Sequence, residues 1–260
     1  MGKVVSVINL KGGVGKTTLT VGLAEFLALE HDKKVLVIDT DPQTNASIAL
    51  IGENQWRECN NQGHTLHQLF KDHLEDTCVF ELSESIITRT SNLDGGLNNL
   101  HLLPSSLDFI QIQDLLINIG HISYIKPIDV LMDALDNRLN DYDVVLIDCP
   151  PNLGLVTQNA LNISDYFLIP VIPDFMSTYG VPQIIDVVRN FSRKTGHMVL
   201  PLGIIISMYR ANVTRHNDTI ERLENIGKKD SNFPPLFATK IPLGSKISDV
   251  TDFEASQIKC

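Results

Sequence analysis

Residues Asn9–Thr20 read "NLKGGVGKTTLT". They lie between an apolar run, "VVSVIN" (4–9), and a helical pattern over Thr17–Glu30 with Leu19, Leu23, Phe26 and Leu27 on one face. A strand, a glycine-rich turn and a helix in that order form a phosphate-binding loop. Gly12, Gly13 and Gly15 let the backbone curl tightly and point successive N–H groups inward. The helix starts near Lys16, so the positive end of its dipole faces the same hollow. There Lys16 can reach β- and γ-phosphates and the Thr17 hydroxyl can bind Mg²⁺. The usual spacing is Gly, four residues, then Gly-Lys-Ser/Thr. Gly15, Lys16 and Thr17 fit it, but the first glycine falls at Leu10, and a second lysine, Lys11, stands where that pattern needs none.

The rest of the chain supplies the frame for such a loop. Four further apolar runs without polar alternation read as buried parallel strands: "KVLVID" (34–39), "DVVLID" (143–148), "DYFLIPV" (165–171) and "LPLGIIIS" (200–207). "LHLLP" (100–104) is a weaker sixth strand. Between them, helical patterns fall at 105–118, 129–140, 178–191 and 212–226. This alternation predicts a single α/β domain over residues 1–260, a doubly wound, mostly parallel sheet with helices on both faces. The more polar stretch 53–96 is expected to add short helices and loops at its edge.

In such a sheet, ligands bind at the carboxyl ends of the strands. Two more strand ends carry matching chemistry. "KVLVID" ends in Asp39, with Asp41 two residues on in "TDPQTN"; "DVVLID" ends in Asp148, followed by "CPPNLG". A carboxylate closing a fully apolar strand is costly to bury unpaired. A Mg²⁺ ion at the phosphates would remove that cost, with Asp148 holding it through water.

Bulk properties narrow the function classes. The 260 residues carry a formal charge of −10, which argues against a general nucleic-acid coat. The charge is uneven: residues 1–188 hold 10 Lys and Arg against 24 Asp and Glu, a balance of −14, whereas residues 189–260 hold 11 against 7, a balance of +4. A local basic face on an acidic protein is compatible with that split. Cys59, Cys78, Cys149 and Cys260 form no CxxC pair, so neither a zinc site nor a disulfide framework is expected. The first residues do not read as an export signal, and no apolar run is long enough to span a bilayer. A cytoplasmic setting with free thiols is the expectation.

"KGGVGKTT", "VLVIDTDPQTN" and "VVLIDCPPNLG" together resemble the deviant-Walker ATPases of the ParA/MinD class, and most closely the short, Soj-like ParA partition ATPases. "LHLLPSSLDF" (100–109), "DYFLIPVIPDFMSTYG" (165–180) and "TKIPLGSKISD" (239–249) extend the likeness over nearly the whole chain. The resemblance implies an ATP-binding, Mg²⁺-dependent ATPase of weak intrinsic activity. Its nucleotide contacts would run along the loop through Lys11, Gly12, Gly13, Val14, Gly15, Lys16, Thr17 and Thr18, with Met208 and Pro242 lining the adenine. Lys11 would be the family's extra lysine, reaching phosphate across a face-to-face homodimer that holds two ATP molecules. Its charge would act as an arginine finger does. Asp41 would help activate the attacking water, making Lys11, Lys16 and Asp41 the catalytic set. Thr17, Asp39 and Asp148 would serve the metal, and "CPPNLG" would be the switch that senses the γ-phosphate.

The same resemblance implies partners. ATP-bound dimers would hold non-specific double-stranded DNA through basic residues toward the C-terminus, with Lys246 at the family's basic position and Arg215, Arg222, Lys228 and Lys240 as further candidates. A ParB-like or other cargo adaptor would trigger hydrolysis and release, giving a cytoplasmic, nucleoid-associated protein with no membrane role. Leu243 stands where the family often has Arg, and Leu10 where a polar residue is common. The chain stops at Cys260, short of the final helical segment expected after "ISDVTDFEAS". The alternative is a MinD-like membrane ATPase, which needs a basic amphipathic C-terminal helix that "DVTDFEASQIKC" does not supply. An iron–sulfur reductase sharing the lysine signature would need two suitably placed cysteines, and Cys59 and Cys78 lie in the polar edge region.

Overall fold

Strands buried on both faces should divide their alternate side chains between two separate cores. The computed structural model, which describes residues 2–93, 95–122, 125–230 and 233–244, shows that division. The strands are β1 (Lys3–Val7), β2 (Val35–Asp39), β3 (Leu100–Leu103), β4 (Val144–Asp148), β5 (Tyr166–Val171), β6 (Leu200–Tyr209) and β7 (Leu236–Pro242). Val4, Leu36, Ile38, Val145 and Ile147 enter one hydrophobic cluster, and Val5, Val7, Val35, Val37 and Leu146 enter the other. The pairings between these seven strands are parallel, in the order β3-β2-β4-β1-β5-β6-β7.

Helices cover both faces. They are α1 (Lys16–His31), α2 (Asn45–Asn61), α3 (Leu66–Glu75), α4 (Leu82–Ser85), α5 (Phe109–Ile112), α6 (Ile119–Ile122), α7 (Val130–Leu135), α8 (Leu155–Asn162), α9 (Ser177–Thr195) and α10 (Thr214–Lys229). Side chains of α1 and α2 lie in the second cluster, including Val21, Ala24, Ala46, Leu50 and Trp56. Those of α3, α7, α8 and α9 lie in the first, including Phe70, Leu131, Ala160 and Ile184. α2 is interrupted at Gly52, whose φ of 73° and ψ of 161° only glycine adopts without strain.

Several expected elements change form. The helix expected over 105–118 is α5, then a 3₁₀ stretch over Gln113–Asn118, then α6. Leu116 in the 3₁₀ stretch and Ile119 at the start of α6 are both fully buried. The helix expected over 129–140 is α7 followed by a 3₁₀ stretch, Asp136–Asp141. β7, α8 and the first half of α2 were not foreseen. β7 is an edge strand with most of its residues exposed and Lys240 within it, so it lacks the apolar run that marks the inner strands. Stretch 53–96 holds the end of α2, then α3, α4 and loops.

One buried carboxylate pins this region. Asp72 on α3 accepts hydrogen bonds from Gln68 Nε2 at 2.7 Å, Thr77 Oγ1 at 2.7 Å, Val79 N at 2.8 Å and Phe80 N at 2.7 Å. Burial alone would raise its carboxyl, but these four donors hold it below the usual carboxylate range. Hydrogen bonds to a charged group contribute about 1.5–3 kcal/mol. Asp72→Ala should therefore lower stability by roughly 2–3 kcal/mol in urea unfolding. Because the folded carboxyl is depressed, the stabilisation is present above about pH 4 and is lost as pH falls through the folded value. The gap between wild type and variant should accordingly narrow in acid.

Candidate functional site

The strand register builds the site. β2 and β4 pair so that Asp39 lies opposite Asp148, and β1 pairs with β4 so that Val7, just before the glycine-rich loop, also lies opposite Asp148. Both carboxylates are 0% exposed. Burial pushes Asp39 well above the usual carboxylate range, with the charge of Asp148 adding to it. Burial likewise pushes Asp148 up, with Asp41 adding, against the opposing pull of Thr17, Lys16 and Thr20. Asp148 Oδ2 accepts from Thr17 Oγ1 at 2.7 Å, and its Oδ1 from Thr20 Oγ1 at 3.3 Å. Asp39 turns toward its own loop: Oδ2 accepts from Ser47 N at 2.8 Å and Ser47 Oγ at 2.7 Å, and Oδ1 from Asp41 N at 3.1 Å.

The loop itself forms as the sequence requires. Gly13 and Gly15 have φ of 70° and 84°, the left-handed region that glycine enters freely. Gly15 caps α1, whose first turn carries no acidic side chain, so the positive helix end is left facing the loop. Ser207 Oγ on β6 donates to the Val14 carbonyl at 2.7 Å, and Val14 itself is buried beneath the loop.

A cavity of about 480 Å³ opens above this loop. Gly12, Gly13, Gly15, Lys16, Thr17 and Thr18 form its floor, and Asp41, Gln43, Asn45, Ile48, Pro151 and Met208 its walls. Lys16 is only 7% exposed, and its Nζ donates to the Asn9 carbonyl at 3.4 Å. No carboxylate forms an ion pair with it among the described residues. Burial lowers its pKa in spite of Asp148 and Asp41 nearby. A buried ammonium without a paired anion fits a phosphate, and crowded buried carboxylates beside a threonine hydroxyl fit a hard cation such as Mg²⁺. A Cβ on Gly12 would meet no protein atom within 4 Å, so packing does not require a glycine there.

The expected residues do not all converge. The structure gathers Gly12, Gly13, Gly15, Lys16, Thr17, Thr18, Asp41 and Met208 at the cavity, with Asp148 behind Thr17 and Asp39 beneath the Asp41 loop. Pro242 pairs with Tyr209 one strand further out and does not line the cavity. Lys11 does not line it either, because its Nζ bonds the Asp174 carboxylate. Gln43, Asn45 and Ile48 were missed; the first two lie within the quoted "TDPQTN", and that position just after a strand end was the available signal.

Three of the DNA candidates share one helix. Arg215, Arg222 and Lys228 lie on α10, which also carries Asp218, Glu221 and Glu224. Arg222 lies over the Phe175 ring at 5.9 Å, and Lys240 on β7 over the Tyr209 ring at 4.9 Å. Lys246 falls outside the described residues. Cys149 is fully buried in the first cluster, its thiol pushed up to about 12 chiefly by burial, and it packs as an apolar group.

Comparison with known proteins agrees with this geometry. The family model described as "AAA domain" matches residues 2–199. The sporulation initiation inhibitor protein Soj of Bacillus subtilis is 31% identical over 252 residues, covering 96% of this chain and 87% of Soj. The chain belongs to this family, the ParA/MinD class of deviant-Walker ATPases. A solved structure described as cobyrinic acid a,c-diamide synthase from Mycobacterium smegmatis, with bound ADP and magnesium, superposes with a TM-score of 0.74 at 25% identity, covering 99% of this chain and 93% of that one. A plasmid partition protein from Borrelia burgdorferi shares the fold with a TM-score of 0.69 at 24% identity, each chain covered in full.

Gly12 offers a clean separation of cradle from scaffold. Its φ is outside the left-handed region and its Cβ position is open, so Gly12→Ala should change the unfolding free energy by less than about 0.5 kcal/mol. ATP·Mg²⁺ affinity by calorimetry should fall at least about tenfold, roughly 1.4 kcal/mol. Equal losses of stability and affinity would show the position to be structural.

Proposed function

We propose that this chain is an ATP-hydrolysing partition or positioning protein of the ParA type. The observation that carries the reading is Lys16, a buried ammonium with no carboxylate paired to it among the described residues, set at the floor of a glycine cradle with a buried acid pair behind it. Support comes from the family, from the Soj likeness and from the M. smegmatis structure, which was obtained with ADP and magnesium. In this reading the β- and γ-phosphates lie against the loop N–H groups, the start of α1 and Lys16. Mg²⁺, when bound, neutralises charge building on the phosphates. Thr17 would hold it directly, Asp148 would act from behind Thr17, and Asp39 would keep the Asp41 loop in place. Asp41, at the cavity wall and held by its own turn to Gln43 N at 2.9 Å, would orient the attacking water. Met208 would touch the base.

Two subunits would close face to face over two ATP molecules, with Lys11 of each reaching the other's phosphates. Hydrolysis by the chain alone would be weak, and a ParB-like or other adaptor would stimulate it. The whole chain acts as one ATPase unit, with 53–96 as its edge. The ATP dimer would bind non-specific duplex DNA through the basic C-terminal third, so the protein would be cytoplasmic and associated with the nucleoid. Among the described residues no helix is long and apolar enough to cross a membrane.

Binding to a non-specific duplex, followed by fluorescence anisotropy, tests this reading. ATP·Mg²⁺ should support binding and ADP should not, and the affinity should fall steeply with salt as phosphate contacts require. Lys16→Ala and Lys11→Ala should both lose it. ATP-dependent dimerisation without DNA binding in any state would reject the DNA reading and move attention to lipid vesicles.

A further inference from the structure

The two lysines of the loop are held in opposite ways. Lys16 is buried in the cavity and pairs with no carboxylate among the described residues, whereas Lys11 is half exposed and bonded to Asp174 in the turn between β5 and α9. Asp174 is itself fixed: its Oδ1 accepts from Ser177 N at 3.0 Å and from Ser177 Oγ at 3.0 Å, leaving Oδ2 for the lysine. Burial alone would raise the Asp174 carboxyl, but Lys11 and Ser177 hold it below the usual range. The lysine end is fixed too. Lys11 N donates to Asn9 Oδ1 at 2.9 Å, and Asn9 Nδ2 donates to the Pro170 carbonyl on β5 at 2.7 Å. The loop is therefore joined to the β5 end and its turn at two points, Asn9–Pro170 and Lys11–Asp174, and the charge of Lys11 is neutralised within its own subunit.

With its charge neutralised by Asp174, the Lys11 ammonium is held back from a phosphate in another subunit. We infer that Asp174 is a positioning residue that holds Lys11 in cis, within its own subunit, and that opening this pair is a step in forming the ATP-bound dimer. This inference rests on the ATP-sandwich reading above. Exposed ion pairs are weak, so the latch can be opened by a competing phosphate and does not lock the protein shut. Directly after Asp174 the chain presents Phe175, Met176 and Tyr179, each half exposed or more. A second copy of the chain settling on that apolar surface would arrive beside the latch it has to open. Each dimer carries two latches, so their combined effect is squared in the dimerisation constant.

The test uses the full chain and three proteins: wild type, Asp174→Asn and Asp174→Glu. In nucleotide-free protein, an amine-reactive reagent read out by mass spectrometry should label Lys11 faster in Asp174→Asn than in wild type, with the other lysines as internal reference. In ATP·Mg²⁺, sedimentation velocity should show Asp174→Asn dimerising about 4- to 25-fold more tightly, from two pairs each contributing roughly two- to fivefold. Asp174→Glu, which keeps the carboxylate, should return both readouts toward wild type, and matching thermal melts would exclude misfolding as the cause. Unchanged Lys11 labelling would overturn the latch. Faster labelling with unchanged or weaker dimerisation would overturn it as well, assigning Asp174 to the dimer state. If wild type forms no ATP-driven dimer at all, the sandwich reading fails and the latch's role fails with it; the labelling result shows separately whether the cis pair exists.

Discussion

The site depends on one constraint: two fully buried carboxylates, Asp39 and Asp148, stand side by side on neighbouring parallel strands. Nothing in an apolar sheet favours that arrangement, since burial penalises each charge and proximity penalises the pair. The surrounding structure offsets it with aimed donors. Ser47 and the Asp41 amide serve Asp39, while Thr17 and Thr20 serve Asp148. Those donors come from the starts of α1 and α2 and from the loop after β2. Satisfying the acids therefore also fixes where the glycine loop sits and where Asp41 points.

The charges at this end of the sheet form a coherent pattern. Acids crowd behind Thr17, a buried cation lies on the cavity floor, and the amide end of α1 faces the same space. Each element is unfavourable or unfinished alone, and each is completed by a magnesium nucleotide. Binding energy can then go into relieving electrostatic strain already stored in the fold, which is how preorganised sites raise affinity without large rearrangement. The second lysine stands apart from this economy. Its charge is satisfied locally by Asp174, on the opposite side of β1 from the acid pair, so the chain separates a lysine that serves its own cavity from one that is held outside it.

Much of this was legible in the order of residues. The inner strands are continuous apolar runs because both faces are covered, and the loop glycines announce themselves by type and spacing. Asp39 and Asp148 were readable as strand-ending acids. Other features were not. β7 is an exposed edge strand whose composition follows solvent and not a core. The helix expected over 105–118 is broken into two short α-helices around a 3₁₀ stretch, and its apolar period carries no mark of that break. Gln43, Asn45 and Ile48 reach the cavity only because α2 folds back beside the loop.

The sequence by itself determined the class of fold, the phosphate cradle and the identity of the acids, because each of these rests on local spacing, turn chemistry and hydrophobic period. The tertiary structure alone decided which side chains share a space. It set Pro242 outside the cavity and spread the basic candidates of α10 among acids. It also brought Lys11 to Asp174 across 163 positions of chain. Such pairings follow from strand order and register, which place β5 next to β1, and no local pattern in the sequence encodes that adjacency.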